Sequence, residues 1–124
     1  MKRLLLVLFL ILPVVMHAGY RGGEQQILLQ KKNGANDHLE HFIPIDQPSV
    51  YYDSNNQMLI IDGLGEVSYY DVEITPIVSN NPVITTQVDG NYDTIDVSSL
   101  WSGGFVISIE SPTGNIFEGT FYID

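Results

Sequence analysis

Gly104-Phe105-Val106-Ile107-Ser108-Ile109-Glu110, Ser111-Pro112-Thr113-Gly114-Asn115, and Ile116-Phe117-Glu118-Gly119-Thr120-Phe121-Tyr122-Ile123 form the stretch that decides the fold. Phe105, Ile107 and Ile109 alternate with Val106, Ser108 and Glu110. That period of two is the signature of a strand with one face on a core. Ser111-Pro112-Thr113-Gly114 is a turn: proline presets φ for the second position, and glycine accepts a left-handed conformation. Ile116 to Ile123 returns with Phe117, Phe121 and Ile123 on one face. A hairpin with one greasy face cannot stand alone in water, so a second layer must cover it.

The same pattern extends toward the N-terminus. Thr94 to Val97 points Ile95 and Val97 inward, Val83 to Val88 is extended, and Val67 to Ile74 sets Tyr70, Val72 and Ile74 against Tyr69, Asp71 and Glu73. Met58 to Ile61 is a continuous apolar run, which suits a central strand or one buried on both sides. Val50 to Tyr52, a short edge at Phe42 to Ile45 and a first strand at Gln26 to Lys31 complete the set. Asp53–Asn56, Asp62-Gly63-Leu64-Gly65, Asn80-Asn81-Pro82 and Asp89-Gly90-Asn91 supply turns between them. No stretch keeps a helical period. Seven or eight short strands with such spacing predict an all-β chain, an immunoglobulin-like antiparallel β-sandwich. The sandwich is expected over 37–124, with 19–36 a partly flexible leading segment that carries the first strand.

The N-terminus has a different character. Lys2 and Arg3 precede the apolar run Leu4 to Leu12, Pro13 interrupts it, and Val14 to Met16 lead to His17 and the small pair Ala18-Gly19. Charge, apolar core and small residues in that order make residues 1–18 a cleavable signal peptide. The run is shorter than the roughly 20 residues of a membrane-spanning helix, so no membrane insertion is expected after cleavage. Cleavage is expected after Ala18, within a residue or two because Met16 is bulky for its place. The chain is therefore expected to be exported, either to the periplasm or to the cell surface and medium.

Its 124 residues include no cysteine, which removes both a disulfide framework and a lipidated cysteine. Removal of residues 1–18 takes Lys2 and Arg3 with it, leaving three basic against fifteen acidic residues, a net charge of −12. No lysine or arginine follows Lys32. Such a surface repels phosphate backbones and anionic lipids, which excludes nucleic acid as a partner.

The run Ile95-Asp96-Val97-Ser98-Ser99-Leu100-Trp101-Ser102-Gly103-Gly104-Phe105-Val106-Ile107-Ser108-Ile109, followed by Gly114-Asn115-Ile116-Phe117-Glu118-Gly119-Thr120-Phe121, resembles the ending of small Bacteroidetes β-sandwich modules. With the leader and the length, the chain most resembles the DUF3244 family of secreted Bacteroides proteins. The resemblance implies an immunoglobulin-like sandwich, export and no established activity. A more distant likeness is to the C-terminal sorting domain of the Por (type IX) secretion system. That role is not carried over, because such domains are appended to a larger cargo and end in basic residues, whereas this chain ends in Phe121-Tyr122-Ile123-Asp124. The family's Gly-x-Tyr tyrosine would form a tyrosine corner. Phe105 stands there without a hydroxyl, so only packing remains. Asp93-Thr94-Ile95 resembles the Asp-Ser/Thr-aliphatic tripeptide of Bacteroidetes O-glycosylation, which makes Thr94 a candidate modification site.

Four groups of residues are weighed as sites. Asp89, Asp93 and Asp96 crowd carboxylates into one turn-and-strand segment, a chemistry that suits calcium, although Gly90 comes too early for an EF-hand loop. Turn propensity alone also places aspartate there. His38-Leu39-Glu40-His41 sets two imidazoles beside a carboxylate without the HExxH spacing or a third zinc ligand, and reads as solvated surface. Trp101 is the single tryptophan, set either to stack on a partner or to cap the core. Tyr52 and Tyr69 are candidates for an outward aromatic patch. No cysteine nucleophile, Ser–His signature or glycine-rich phosphate loop is present, so no enzyme and no cofactor other than calcium is expected. The sequence points to an exported non-catalytic module that binds a protein or a glycan. Its alternatives are a calcium-dependent structural or adhesion domain, and an inhibitor of a secreted hydrolase that inserts Ser111 to Gly114.

Overall fold

The computed structural model describes residues 23–32, 46–63 and 65–124. The expected leader at 1–18, the His38–His41 segment and the expected edge at Phe42 to Ile45 lie outside the described residues. The described chain is all-β, with nine strands: β1 (Glu24–Ile27), β2 (Gln30–Lys31), β3 (Ser49–Asp53), β4 (Met58–Asp62), β5 (Tyr69–Pro76), β6 (Ile84–Asp89), β7 (Tyr92–Asp96), β8 (Gly103–Glu110) and β9 (Ile116–Ile123).

Two antiparallel sheets face each other, one ordered β1-β3-β4-β7 and the other β2-β9-β8-β5-β6. Hairpins join β3 to β4, β5 to β6 and β8 to β9 within a sheet. The chain changes sheet between β1 and β2, β2 and β3, β4 and β5, β6 and β7, and β7 and β8. This is the expected sandwich, built because each strand buries alternate residues and neither sheet can hide its apolar face alone. In β8 the buried residues are Phe105, Ile107 and Ile109, and in β9 they are Phe117, Gly119, Phe121 and Ile123. Val50, Leu59, Ile61 and Val97 meet them from the four-stranded sheet, all 1% exposed or less. Each such side chain contributes roughly 1.5–3 kcal/mol by leaving water. With no cysteine in the chain, that packing is the main term set against chain entropy.

Three turns follow the sequence closely. In the β3–β4 turn the Asp53 carboxylate accepts the backbone N–H of Asn55 at 3.0 Å and of Asn56 at 3.3 Å, and the Asn56 amide at 2.8 Å. In the β8–β9 turn Gly114 N–H donates to the Ser111 carbonyl at 2.9 Å, and Gly114 takes φ +95°. Pro76 ends β5, as its missing donor requires.

Two expectations are modified. The single first strand at Gln26 to Lys31 is in fact two short ones. β1 pairs with β3, the chain crosses at Leu28-Leu29, and β2 pairs with β9 opposite Phe117 and Glu118. The leading segment thus ties the two sheets together along one side. β4 is central, between β3 and β7, but Met58 and Ile60 on its outer face are only half-buried, so it is not covered on both sides.

Candidate functional site

The three aspartates expected to hold calcium are already engaged with the backbone, and they do not converge. Asp93 accepts the Asp89 N–H at 2.9 Å and the Thr94 N–H at 2.8 Å, and Asp89 accepts the Asn91 N–H at 2.7 Å. Asp96 caps the next turn through the Ser98 N–H at 2.8 Å, and hydrogen bonds from Ser98 lower its pKa. Asp93 and Asp96 are three residues apart on β7, so they leave the strand on opposite faces. Among the described residues no group of three or more histidines, aspartates or glutamates is placed to hold a metal ion. The physical reason is turn chemistry: each carboxylate serves an unpaired backbone donor of its own loop. Thr94 is exposed on the same edge strand, opposite Ile60.

The aromatic candidates also separate. Tyr52 faces the core at 6% exposed, with its ring 5.6 Å from that of Phe121. In β3 the buried Val50 fixes the parity, which sends Tyr52 inward and leaves Tyr51 half-buried on the outer face. Tyr69 lies on the outer face of the other sheet, opposite Asp89. Tyr52 and Tyr69 therefore share no surface patch, because they belong to different sheets and Tyr52 faces the core while Tyr69 faces outward. Trp101 is packed on the core along one side only. Its ring packs 5.4 Å from Phe105, yet 53% of the residue remains exposed. Phe105 is itself fully buried and stacks on Phe121 at 5.7 Å, the packing role left to it without a hydroxyl.

The same end of β8 carries two exposed side chains, Ile77 and Tyr122, that have no signal in the sequence. On the outer face of the five-stranded sheet, Gly104 lies directly opposite Tyr122, and its carbonyl accepts the Ile77 N–H at 3.0 Å. A side chain at Gly104 would collide with Ile77 and Tyr122, which flank the bare backbone. Ile77 is 48% exposed and Tyr122 65%. Ile77 and Tyr122 thus close over Gly104 on the outer face, while Trp101 lies by Gly103, on the side of the strand that carries Phe105.

Tyr122 also stands at the mouth of a cleft along the seam between β1 and β9. This cleft of about 370 Å³ has Ile27 and Phe121 low in its walls. Gln25, Gln26 and Ser54 rim one side, Thr120, Tyr122 and Asp124 the other, and Tyr52 reaches it from the core. A second cleft of about 430 Å³ shares Gln26, Ile27 and Thr120 and continues to Gln30 and Glu118. The seam exists because β2 covers only Phe117 and Glu118 of β9 while β1 departs to the other sheet. Tyr52 keeps its proton above the ordinary phenol range, through burial and then the charges of Asp124 and Asp53.

A buried polar cluster closes the opposite end of β9. Asp46, 4% exposed, accepts hydroxyl protons from Ser111 and Thr113 at 2.7 Å each and the Asn115 amide at 2.8 Å. Its backbone carbonyl accepts the Tyr70 hydroxyl at 2.9 Å. The Ser111–Gly114 turn is held rigid in this way, with Pro112 and Thr113 as its exposed tip.

The geometry on the page has a counterpart among solved structures. A DUF3244 family protein from Bacteroides vulgatus, with an immunoglobulin-like β-sandwich fold, superimposes with a TM-score of 0.62. The alignment covers 82% of this chain and 99% of that one, at 13% sequence identity. The chain shares the DUF3244 fold. No family model matches the sequence, and no curated protein does. The resemblance read from the last thirty residues is thus met in three dimensions, and at this identity it concerns the fold.

Proposed function

We propose that this chain is an exported, non-catalytic binding module, whose contact surface is the end of the five-stranded sheet around Gly104. The carrying observation is that three large side chains at this end of the sheet, Trp101 by Gly103 and Tyr122 and Ile77 over Gly104, are each about half exposed or more. Large aromatic side chains held rigidly at a surface lose little entropy on contact and supply most of the energy of recognition. Export rests on the Lys2-Arg3 charge, the Leu4–Leu12 run and the small residues at 18–19. Function without chemistry rests on the missing nucleophile and phosphate-loop signatures and on a fold shared with a family of no established activity.

The test is a glycan array together with affinity capture from the extracytoplasmic fraction, run with the protein and with its Trp101→Ala/Tyr122→Ser variant. A ligand held by the protein and released by the variant is the expected result. Silence across both screens overturns the reading.

A further inference from the structure

From the β1–β9 seam we infer that the cleft beside Tyr122 is a saccharide site, and that its ligand is a short, uncharged oligosaccharide. This rests on the binding-module reading and assigns it a ligand class. The residues that line the cleft are mostly polar and neutral, Gln25, Gln26, Ser54, Thr120 and Tyr122 among them. Among the described residues none of the Gln25, Gln26, Thr120 and Tyr122 side chains is committed to an intramolecular hydrogen bond. Amides and hydroxyls both donate and accept, which is what a ring bearing several hydroxyls requires. Their exposure means water satisfies them in the free protein, so a ligand must replace those bonds one for one.

Tyr122 adds the second element of sugar recognition. One edge of its ring rests over Gly104 while 65% of the residue is exposed, and the electron-rich face of an aromatic ring attracts the C–H groups of a pyranose. The two clefts, about 370 and 430 Å³, each fall within the roughly 300–1,000 Å³ of small-molecule sites. Both clefts have Gln26, Ile27 and Thr120 in their linings, so they lie next to one another along the seam.

Charge narrows the ligand further. Asp124 lines the first cleft, with Asp53 close enough to act on Tyr52, and among the described residues no cation lines either cleft. At the far end Lys32 is paired with Glu118 at 3.5 Å. A uronate or sulfated sugar would therefore be repelled. An extended peptide fits less well, because the apolar residues in the lining, Ile27 and Phe121, are each 4% exposed and offer little apolar surface to its side chains.

The experiment is an amide-resolved NMR titration of the protein with short neutral gluco-, manno- and xylo-oligosaccharides, and in parallel with oligogalacturonates and an extended neutral peptide. Expected are shifts centred on Gln25, Gln26, Thr120 and Tyr122 with a neutral sugar and none with the uronates. Tyr122→Ser should weaken binding about threefold to tenfold, the value of one aromatic contact. Gln26→Ala should weaken it similarly, and both variants should keep the wild-type Tm because the two side chains are exposed. Shifts confined to Trp101, with both variants binding as wild type, overturn the cleft and leave the module reading standing. Peptide binding along β9 without sugar binding overturns the ligand class alone. Absence of sugar binding in a protein that retains a partner captured through Trp101 does the same. Failure of every ligand, here and in the capture screen, overturns both.

Discussion

The Asp46 carboxylate receives the Ser111 hydroxyl at 2.7 Å, joining the segment that enters β3 to the turn between β8 and β9, 65 positions later. Thr113 and Asn115 donate to the same oxygen. One buried anion thus replaces, for this end of the sandwich, the covalent tie that a cysteine-free chain lacks. Asp46→Ala leaves three donors without their acceptor and should cost about 3 kcal/mol by denaturant titration. The pH dependence follows from the same geometry. Burial alone raises the Asp46 pKa, but the bonds from Thr113, Ser111 and Asn115 outweigh it and hold it below the ordinary 3.8. A depressed native pKa contributes stability that is complete above the ordinary value and is lost as pH falls through the native one. Wild-type Tm should therefore drop more steeply than that of Asp46→Asn below about pH 4. Parallel curves for the two proteins would show that the carboxylate does not stabilise the fold.

Tyr70 makes the opposite prediction at the alkaline end. Its pKa is pushed up to about 12, first by burial and then by the Asp46 charge. The fold favours the protonated phenol, so this contribution is complete below the ordinary 10.0 and fades as pH rises toward 12. Ultraviolet titration of the seven tyrosines should show a late step that Tyr70→Phe removes. The same variant should cost about 1 kcal/mol at neutral pH, the worth of the hydroxyl bond to the Asp46 carbonyl.

Gly90 and Gly114 should respond differently to one methyl group. At Gly90 a Cβ would lie 2.0 Å from the Val67 carbonyl oxygen, where the β6–β7 turn meets the crossing from β4 to β5. Backbone must move to admit it, so Gly90→Ala should cost about 3 kcal/mol. At Gly114 no atom lies within 4 Å, and the only cost is that of holding φ +95°. Gly114→Ala should lose about 1 kcal/mol, measured by the same denaturant midpoint. Equal losses would mean that the approach at Gly90 relaxes freely.

What the sequence revealed depended on whether a signal was local. Alternation along β5, β8 and β9 sorts each residue to a face without reference to any other strand, and those assignments agree with the burial found. Tyr51-Tyr52 offered no such contrast, since two tyrosines are equally suited to either face, and the neighbouring Val50 decides. The break at Leu28-Leu29 is set by which strand each half meets, information that lies in β3 and β9. Asp46 carries no local signal of its role because its three donors lie in a distant turn, although Ser111-Pro112-Thr113-Gly114-Asn115 is rich in hydroxyl and amide groups. The seam cleft is hidden for the same reason. Its walls come from residues 23–27, 52–54 and 120–124, which only the sheet order brings together.

Asp71 and Glu110 lie directly opposite one another on β5 and β8, two acids side by side on an exposed sheet face. Like charges in that position oppose each other, and the Gln87 amide, 3.0 Å from Asp71, offsets only part of it. Glu110→Lys turns the repulsion into attraction and should stabilise the protein by about 0.5–1 kcal/mol at low salt. Any added cation also relieves the general repulsion of a strongly acidic chain, so the two effects need separating. Glu66→Lys, exposed and in no such pair, measures the general part alone. The excess of Glu110→Lys over Glu66→Lys is the cross-strand term, and Asp71→Asn should abolish it. Both gains should shrink as salt rises, because these charges are in contact with solvent. An excess that survives Asp71→Asn would place the origin of the gain elsewhere than in the facing acids.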